Sequence, residues 1–307
     1  MESTTDNEYK NIMILFPDSQ SRIYKEIKKR VASTFAIYRN IPFFLYAIRK
    51  LHVSLRLPFE SIWYGDWKKS EENIETIILF DSIYTSKIVK WIQKYKKNAR
   101  LIFWFWNPVN VDLLNELRPL SCELWSFDKF DCKKYGLNYN AQFYFSTVHA
   151  MPTKRDFDIV FIGRDKNRLS KLIELKKLFD SNGLSTYFHI VSDKSFAFSI
   201  KTKPISYDEL LSITMRSNAI LDLVQDGQSG LTLRTMEGIY LKRKIITNNQ
   251  EMQHMDFYSP ENVFILGVDD IALIKQFVSS PYIDLPNSIM AKYDFCNWLD
   301  VFMKERS

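Results

Sequence analysis

The 307-residue chain is 46% hydrophobic and 25% charged, with a formal net charge of +6, apolar enough to bury the cores of two ordinary domains. It contains no run of about 18 uncharged apolar residues, which excludes a membrane-spanning helix. The acidic, polar start Met-Glu-Ser-Thr-Thr-Asp-Asn-Glu is wrong for a secretory signal. Three cysteines (Cys122, Cys132, Cys296) show no metal spacing, and their odd number argues against a disulfide framework, so a reduced, cytoplasmic protein is expected.

In chain order, residues 11–16 are an apolar run stopped by Pro17, Asp18 and Ser19, the pattern of a buried strand feeding a loop. Residues 22–39 have helical spacing, and Pro42 opens a second helical piece over 43–53. Residues 60–64 are expected as a strand before Gly65 and Asp66. A buried strand at 75–80 ends at Asp81, and an amphipathic helix comes next at 85–97. The strand 100–106 ends at Asn107 and Pro108; a short helix at 110–117, a strand at 123–126 and a further short strand at 142–144 complete the first half.

The polar, proline-marked residues 151–155 read as a linker, and the pattern then restarts. Strands are expected at 157–162, 186–191, 219–224, 244–247 and 263–266. Helices are expected at 167–181, 207–215, 269–279 and 291–304, with one more inside 226–238. This alternation predicts an α/β protein of two doubly wound, Rossmann-like domains facing a cleft. The first would span 1–150 and the second 151–285, with 286–307 a C-terminal helix packing back toward the first.

Chemistry concentrates in residues 226–238, between two apolar strands. A helix entered through a small glycine-containing loop points free N–H groups and its positive dipole end outward, which suits a phosphate. Asp226, Ser229, Gly230, Leu231 and Thr232 build that loop; Arg234 either reaches phosphate or points to solvent. Glu237, further into the helix, is placed to accept hydrogen bonds from a ribose diol, against the plainer reading of a solvated residue on a capped helix. Gly238 costs about 1 kcal/mol in a helix interior, so it marks close packing or a near ligand. Gly163 and Arg164 come after the first strand of the second half, at the edge where doubly wound sheets bind ligands. There a glycine permits close backbone approach and an arginine can clamp a diphosphate, the alternative being an ordinary turn. Ser206 and Glu209 form a capping box ahead of the helix 207–215.

The glycine loop, Gly-Leu-Thr, the helix carrying a Glu and the subsequent Lys-Ile-Ile-Thr at 244–247 resemble the donor-binding domain of GT-B glycosyltransferases. The resemblance implies a nucleotide sugar in the second half, its pyrophosphate at the helix start and its ribose on Glu237, with an acceptor held by the first half. It departs from the family at one place. Many retaining members carry a second glutamate eight residues before the first, where this chain has Ser229, so the retaining mechanism is not carried over.

An inverting enzyme needs a base to deprotonate the acceptor hydroxyl. Asp81 is the first candidate, Asp18 the second and Asp66 the third, each with the plainer alternative of a cap or turn residue. Asn107 either orients the acceptor or caps the next helix, and His149 and His189 read as structural. No metal cluster is visible and no cofactor is expected, the nucleotide sugar being a substrate.

Residues 22–56 hold nine basic residues and one acidic residue, Glu26. They form either a solvated face or a surface for anionic lipid headgroups with Phe43, Phe44 and Tyr46 dipping in; no nucleic-acid module accompanies them. The reading is a metal-independent glycosyltransferase, peripheral on the inner face of the membrane, moving a sugar from a nucleotide-diphosphate donor such as a UDP-sugar to a lipid-linked saccharide in lipopolysaccharide, O-antigen or capsule assembly. The alternative is a non-catalytic nucleotide- or glycan-binding protein on the same fold.

Overall fold

The computed structural model describes residues 9–70, 73–82, 86–148, 153–191, 203–225 and 228–304. The chain divides into two compact units, Met1–Asn140 and Ala141–Ser307.

The first unit contains strands β1 (Ile12–Phe16), β2 (Thr34–Ala36), β3 (Thr76–Phe80), β4 (Arg100–Phe105), β5 (Glu123–Ser126) and β6 (Asn138–Tyr139). All pair in parallel, in the order β2-β1-β3-β4-β5-β6. Its helices are α1 (Arg22–Lys28), α2 (Phe43–Ser54), α3 (Ser86–Tyr95), α4 (Val111–Leu117) and α5 (Lys129–Tyr135). β1, β3 and β4 are buried on both faces, which is why their sequences are continuous apolar runs rather than alternating ones. One face packs Met13, Leu15, Ile77, Leu79, Phe103 and Phe105 against Ile88, Val89 and Ile92 of α3 and Leu114 and Leu117 of α4. Each such side chain contributes about 1.5–3 kcal/mol by leaving water.

The second unit contains β7 (Phe157–Arg164), β8 (Thr186–Val191), β9 (Ser217–Asp222), β10 (Lys244–Thr247) and β11 (Val263–Ile265). They form a parallel sheet in the order β11-β10-β9-β7-β8. Helices α6 (Leu169–Ser181), α7 (Tyr207–Met215), α8 (Leu233–Tyr240), α9 (Ile274–Ser279), α10 (Asn287–Lys292) and α11 (Phe295–Lys304) complete it. α11 stacks Phe295 and Trp298 on Phe143, so the segment around 143 and the C-terminal helix belong to one aromatic core.

The two-domain α/β expectation holds, with local corrections. The helix expected over 22–39 stops after Lys28, because Thr34–Ala36 leave it to pair with Ile14–Phe16 as an edge strand. Residues expected as a strand at 60–64 form a 3-10 turn, Glu60–Trp63. The strand expected at 142–144 reduces to an isolated bridge between Tyr144 and Asp294. The helix expected over 291–304 is interrupted at Asp294, whose Oδ1 accepts from the Cys296 amide and starts α11 afresh. α5 and β6 were not anticipated. Among the described residues no helix is long and apolar enough to cross a membrane.

Candidate functional site

In an open parallel sheet the crevice for a ligand opens at the carboxyl ends of the two strands where the order reverses. In the second sheet these strands are β7 and β9, neighbours that are not consecutive in sequence. Gly163 and Arg164, expected after the strand, are instead the last two residues of β7, paired with Ile190 and Val191 of β8, and β9 runs into the loop that leads to α8. The two stretches singled out by sequence are therefore brought to one edge of one sheet. Arg168 ties them together: its guanidinium donates to the Leu223 carbonyl and, at 3.3 Å, to that of Arg164.

Local structure around α8 is fixed by a buried carboxylate. Asp222 Oδ2 accepts from the hydroxyls of Thr232 at 2.7 Å and Thr235 at 2.6 Å. The Thr232 hydroxyl in turn accepts from the amides of Arg234 (3.0 Å) and Thr235 (3.2 Å), capping the helix. Burial pushes the Asp222 carboxyl up, opposed by these two hydroxyls and by the charges of Arg234 and Arg168. The loop is held from the next strand as well: Asn248 exchanges hydrogen bonds with the backbone of Val224, and Asn249 donates to the Ser229 carbonyl at 3.0 Å.

Gly163, Ser229, Thr232 and Arg234 are part-exposed at this edge and Arg164 is exposed, while Gly230 and Leu231 are buried; Asp226 lies outside the described residues. Glu237 faces inward and is 0% exposed. Its Oε1 accepts from Tyr207 at 2.7 Å, and its Oε2 pairs with Arg234. Tyr207 also shares a 2.9 Å hydrogen bond with Tyr144. As the side chains stand, Glu237 supports Arg234 and Tyr207 from within. Gly238 is a packing glycine, for a Cβ there would lie 2.6 Å from Cγ1 of Ile245 on β10. Gly163 differs: a Cβ would meet nothing nearer than Phe161 at 3.5 Å, so the fold does not require glycine there.

In the first sheet the order reverses between β1 and β3. Asp81 comes after β3 there and Asp18 after β1, and both line a cavity of about 840 Å³ with Phe16, Trp106 and Asn107. Asp81 Oδ1 accepts from the Trp106 amide at 2.8 Å, and the Asn107 amide group lies 3.3 Å from both carboxylate oxygens. Burial pushes this carboxyl up to about 6, against the lowering effect of those hydrogen bonds. A carboxylate of that pKa is ionised at neutral pH yet basic enough to take a proton. Trp106 packs edge-on to Phe16 at 6.1 Å and beside Phe80 at 5.4 Å, giving the cavity an aromatic wall.

These two sheets are matched by solved structures. The DNA modifying enzyme beta-glucosyltransferase, solved in the presence and absence of uridine diphosphoglucose, aligns with TM-score 0.53 and 15% identity over 95% of this chain and 98% of that one. TarM aligns with TM-score 0.51 and 11% identity over 75% of this chain and 54% of its own length. The fold is GT-B-like. No protein-family model and no curated protein sequence matches the chain.

The other residues marked by sequence fall outside these two edges or have local duties. Asp18 is exposed and accepts from the Gln20 amide at 2.9 Å, a turn contact. Asp66 is exposed at the start of the 3-10 turn Asp66–Lys69. Asn110, not Asn107, caps α4, leaving Asn107 to Asp81. His189 bonds the Lys203 carbonyl at 2.8 Å, and His149 lies outside the described residues. Ser206 caps α7 by accepting from Glu209 at 3.1 Å, as its sequence implies. Sequence reasoning missed Arg168, Tyr207, Asn248 and Asn249. Only the Asn-Asn pair at a strand end carried a local signal, that of turn-forming side chains. Among the described residues no group of three or more His, Cys, Asp or Glu is arranged to hold a metal ion.

Proposed function

We propose that the protein is a glycosyltransferase that moves a sugar from a nucleotide-diphosphate donor, UDP-linked, to a saccharide acceptor. The observation that carries this reading is the meeting of the Gly163–Arg164 end of β7 and the 228–234 loop at the point where the second sheet reverses its order. The loop's helix start, with Arg234 and the Arg164 of β7, favours the negative charge of a diphosphate. Gly163, Arg164, Ser229, Gly230, Leu231, Thr232 and Arg234 hold the donor in this proposal, with Asp226 beside them. Glu237 serves the site by fixing Arg234 and Tyr207. Support for the sugar comes from the GT-B-like fold, since the glucosyltransferase aligned above has uridine diphosphoglucose as its substrate.

Asp81 is the proposed base. Its carboxylate takes the proton of the acceptor hydroxyl as that oxygen bonds to the anomeric carbon, and the nucleotide diphosphate leaves with the electron pair of the broken bond. Asn107 and the Trp106 amide orient the carboxylate, and the Trp106 ring offers an apolar face to a sugar. We place the acceptor on a lipid carrier, in assembly of a bacterial surface polysaccharide. The basic stretch at 22–56 supports that choice.

The test is a thermal-shift screen with UDP, GDP, CMP and dTDP, with UDP release from UDP-sugars measured next. A diphosphate that binds the native state raises its melting temperature. A protein stabilised by none of the four contradicts the donor site. One that binds UDP but never turns over a UDP-sugar, with any acceptor, contradicts the enzymatic reading.

A further inference from the structure

Helix α2 buries only Val53. Phe44, Ile48, Leu51 and Leu55 recur at the spacing of one helical stripe, yet each is between 53% and 68% exposed. The stripe that would ordinarily face a core faces solvent. Phe43 before it and Phe59 after it are 92% and 81% exposed. An apolar surface of this extent marks an interaction site.

Another face of the same helix lines a second cavity, of about 480 Å³, beside the one that holds Asp81. Arg49 and Lys50 of α2 and Arg39 converge there, and Pro17, Asp18 and Ser82 line both cavities. The Arg49 guanidinium is set between the rings of Tyr38 and Tyr46, 5.1 and 5.0 Å from their centroids, and donates to the Arg39 carbonyl at 3.0 Å. Among the described residues none of the three cations forms an ion pair, and Asp18 is the one acid in the lining. No acidic residue occurs in the sequence from 27 to 59. Three cations against the single carboxylate of Asp18 leave the pocket with net positive charge, which an anion would neutralise.

We infer that this cavity is a phosphate-binding subsite for a membrane lipid: the Arg39, Arg49 and Lys50 side chains take an anionic phosphate headgroup while the Phe44, Ile48, Leu51 and Leu55 stripe enters the acyl boundary. The charge of the pocket selects an anionic bilayer, and the stripe on the same helix selects a lipid over a nucleic acid or a free phosphate. The inference rests on the lipid-linked acceptor of the proposed function. It adds that the acceptor's phosphate sits next to the cavity of Asp81.

The experiment is co-sedimentation of the full chain with vesicles of phosphatidylcholine alone or mixed with phosphatidylglycerol. Arg39→Gln/Lys50→Gln tests the pocket and spares the ring-packed Arg49; Phe44→Ser/Leu51→Ser tests the stripe, whose residues are exposed and so not needed for folding. The wild type is expected on the anionic vesicles only, with each double variant weakened about tenfold. Circular dichroism is expected to be unchanged, and so is the UDP-induced rise in melting temperature, which reports the second unit. That last reading separates failure of this inference from failure of the donor site. Equal binding to neutral and anionic vesicles, or unweakened binding by both variants, overturns the inference. So does a duplex DNA or inorganic pyrophosphate that binds where vesicles do not. A vesicle-free dimer that dissociates in the stripe variant assigns the stripe to a second copy and overturns it as well.

Discussion

Replacing Asp81 by asparagine separates catalytic from structural roles, because the two predict opposite changes in stability. Burial pushes the Asp81 carboxyl from the ordinary 3.8 up to about 6, roughly two units at about 1.36 kcal/mol each, so ~3 kcal/mol is the ceiling of the penalty for ionising it in the fold. The sign comes from proton uptake. Between the two values the native state holds a proton that the unfolded chain has released, so stability falls as pH rises through that window and the penalty is complete above it. The amide introduced by Asp81→Asn carries no charge, still accepts from the Trp106 amide and loses one acceptor oxygen toward Asn107. The expected net gain is ~1–2 kcal/mol at neutral pH and about nothing near pH 4. For a unit of this size that raises Tm by roughly 3–8 °C. Activity is expected to fall about 10²–10⁴-fold with the base removed, and in the wild type to rise with pH through about 6 as the carboxylate ionises. Thermal melts at both pH values, run beside a UDP-release assay, read all of this. A variant that is destabilised equally at both pH values, with activity retained, would refute the reasoning and leave Asp81 as a cap for the Trp106 amide.

Gly163→Ala fits the fold, the new Cβ lying 3.5 Å from Phe161, so urea stability should change by less than about 0.5 kcal/mol while UDP-induced stabilisation shrinks; an undiminished UDP shift removes Gly163 from the donor site. Gly238→Ala places its Cβ 2.6 Å from Ile245 Cγ1 and should cost about 1–3 kcal/mol in urea unfolding, with UDP affinity of the folded protein unchanged. Glu237→Ala leaves the Arg234 guanidinium and the Tyr207 hydroxyl without their buried acceptor, an expected loss of about 3–5 kcal/mol; a variant with unaltered stability and abolished UDP binding would instead return Glu237 to the ribose.

What the sequence made legible depended on whether the cause was local. Strands β1, β3, β4, β7, β9 and β10 are apolar runs because both sheet faces are covered, and each could be read in place. β2 and β6 could not, since Thr34–Ala36 and Asn138–Tyr139 are strands only through pairing with β1 and β5. Both candidate edges were legible from the residues at a strand's carboxyl end: Gly163-Arg164 at β7, Asp81 at β3. Arg168 was not, because its acceptor on Leu223 is 55 residues away. Glu237 was given to a ribose, against the plainer reading of a solvated residue, yet it lies in a helix whose residues Thr235–Tyr240 are all buried. A carboxylate inside a buried helix needs a buried partner, and Tyr207 and Arg234 supply it.

The proposed division of labour between the two sheets stems from their charges. At the β7–β9 edge the carboxylates Asp222 and Glu237 are committed, one to two threonine hydroxyls and the other to Tyr207 and Arg234. Ser229 stands where a retaining glycosyltransferase would carry an acid. Such an edge suits the proposed binding of a donor but offers no solvent-facing carboxylate among its described residues to take a proton. At the β1–β3 edge the balance is reversed. Asp81 keeps both oxygens at a cavity wall, its donors are a backbone amide and an uncharged Asn107, and no cation is among its hydrogen-bond partners to hold its pKa down. An arginine in place of Asn107 would bind that carboxylate more tightly and lower its basicity. The neutral partner orients Asp81 and leaves it able to accept a proton, which is why the first unit is the proposed seat of the chemistry and the second the proposed grip on the donor.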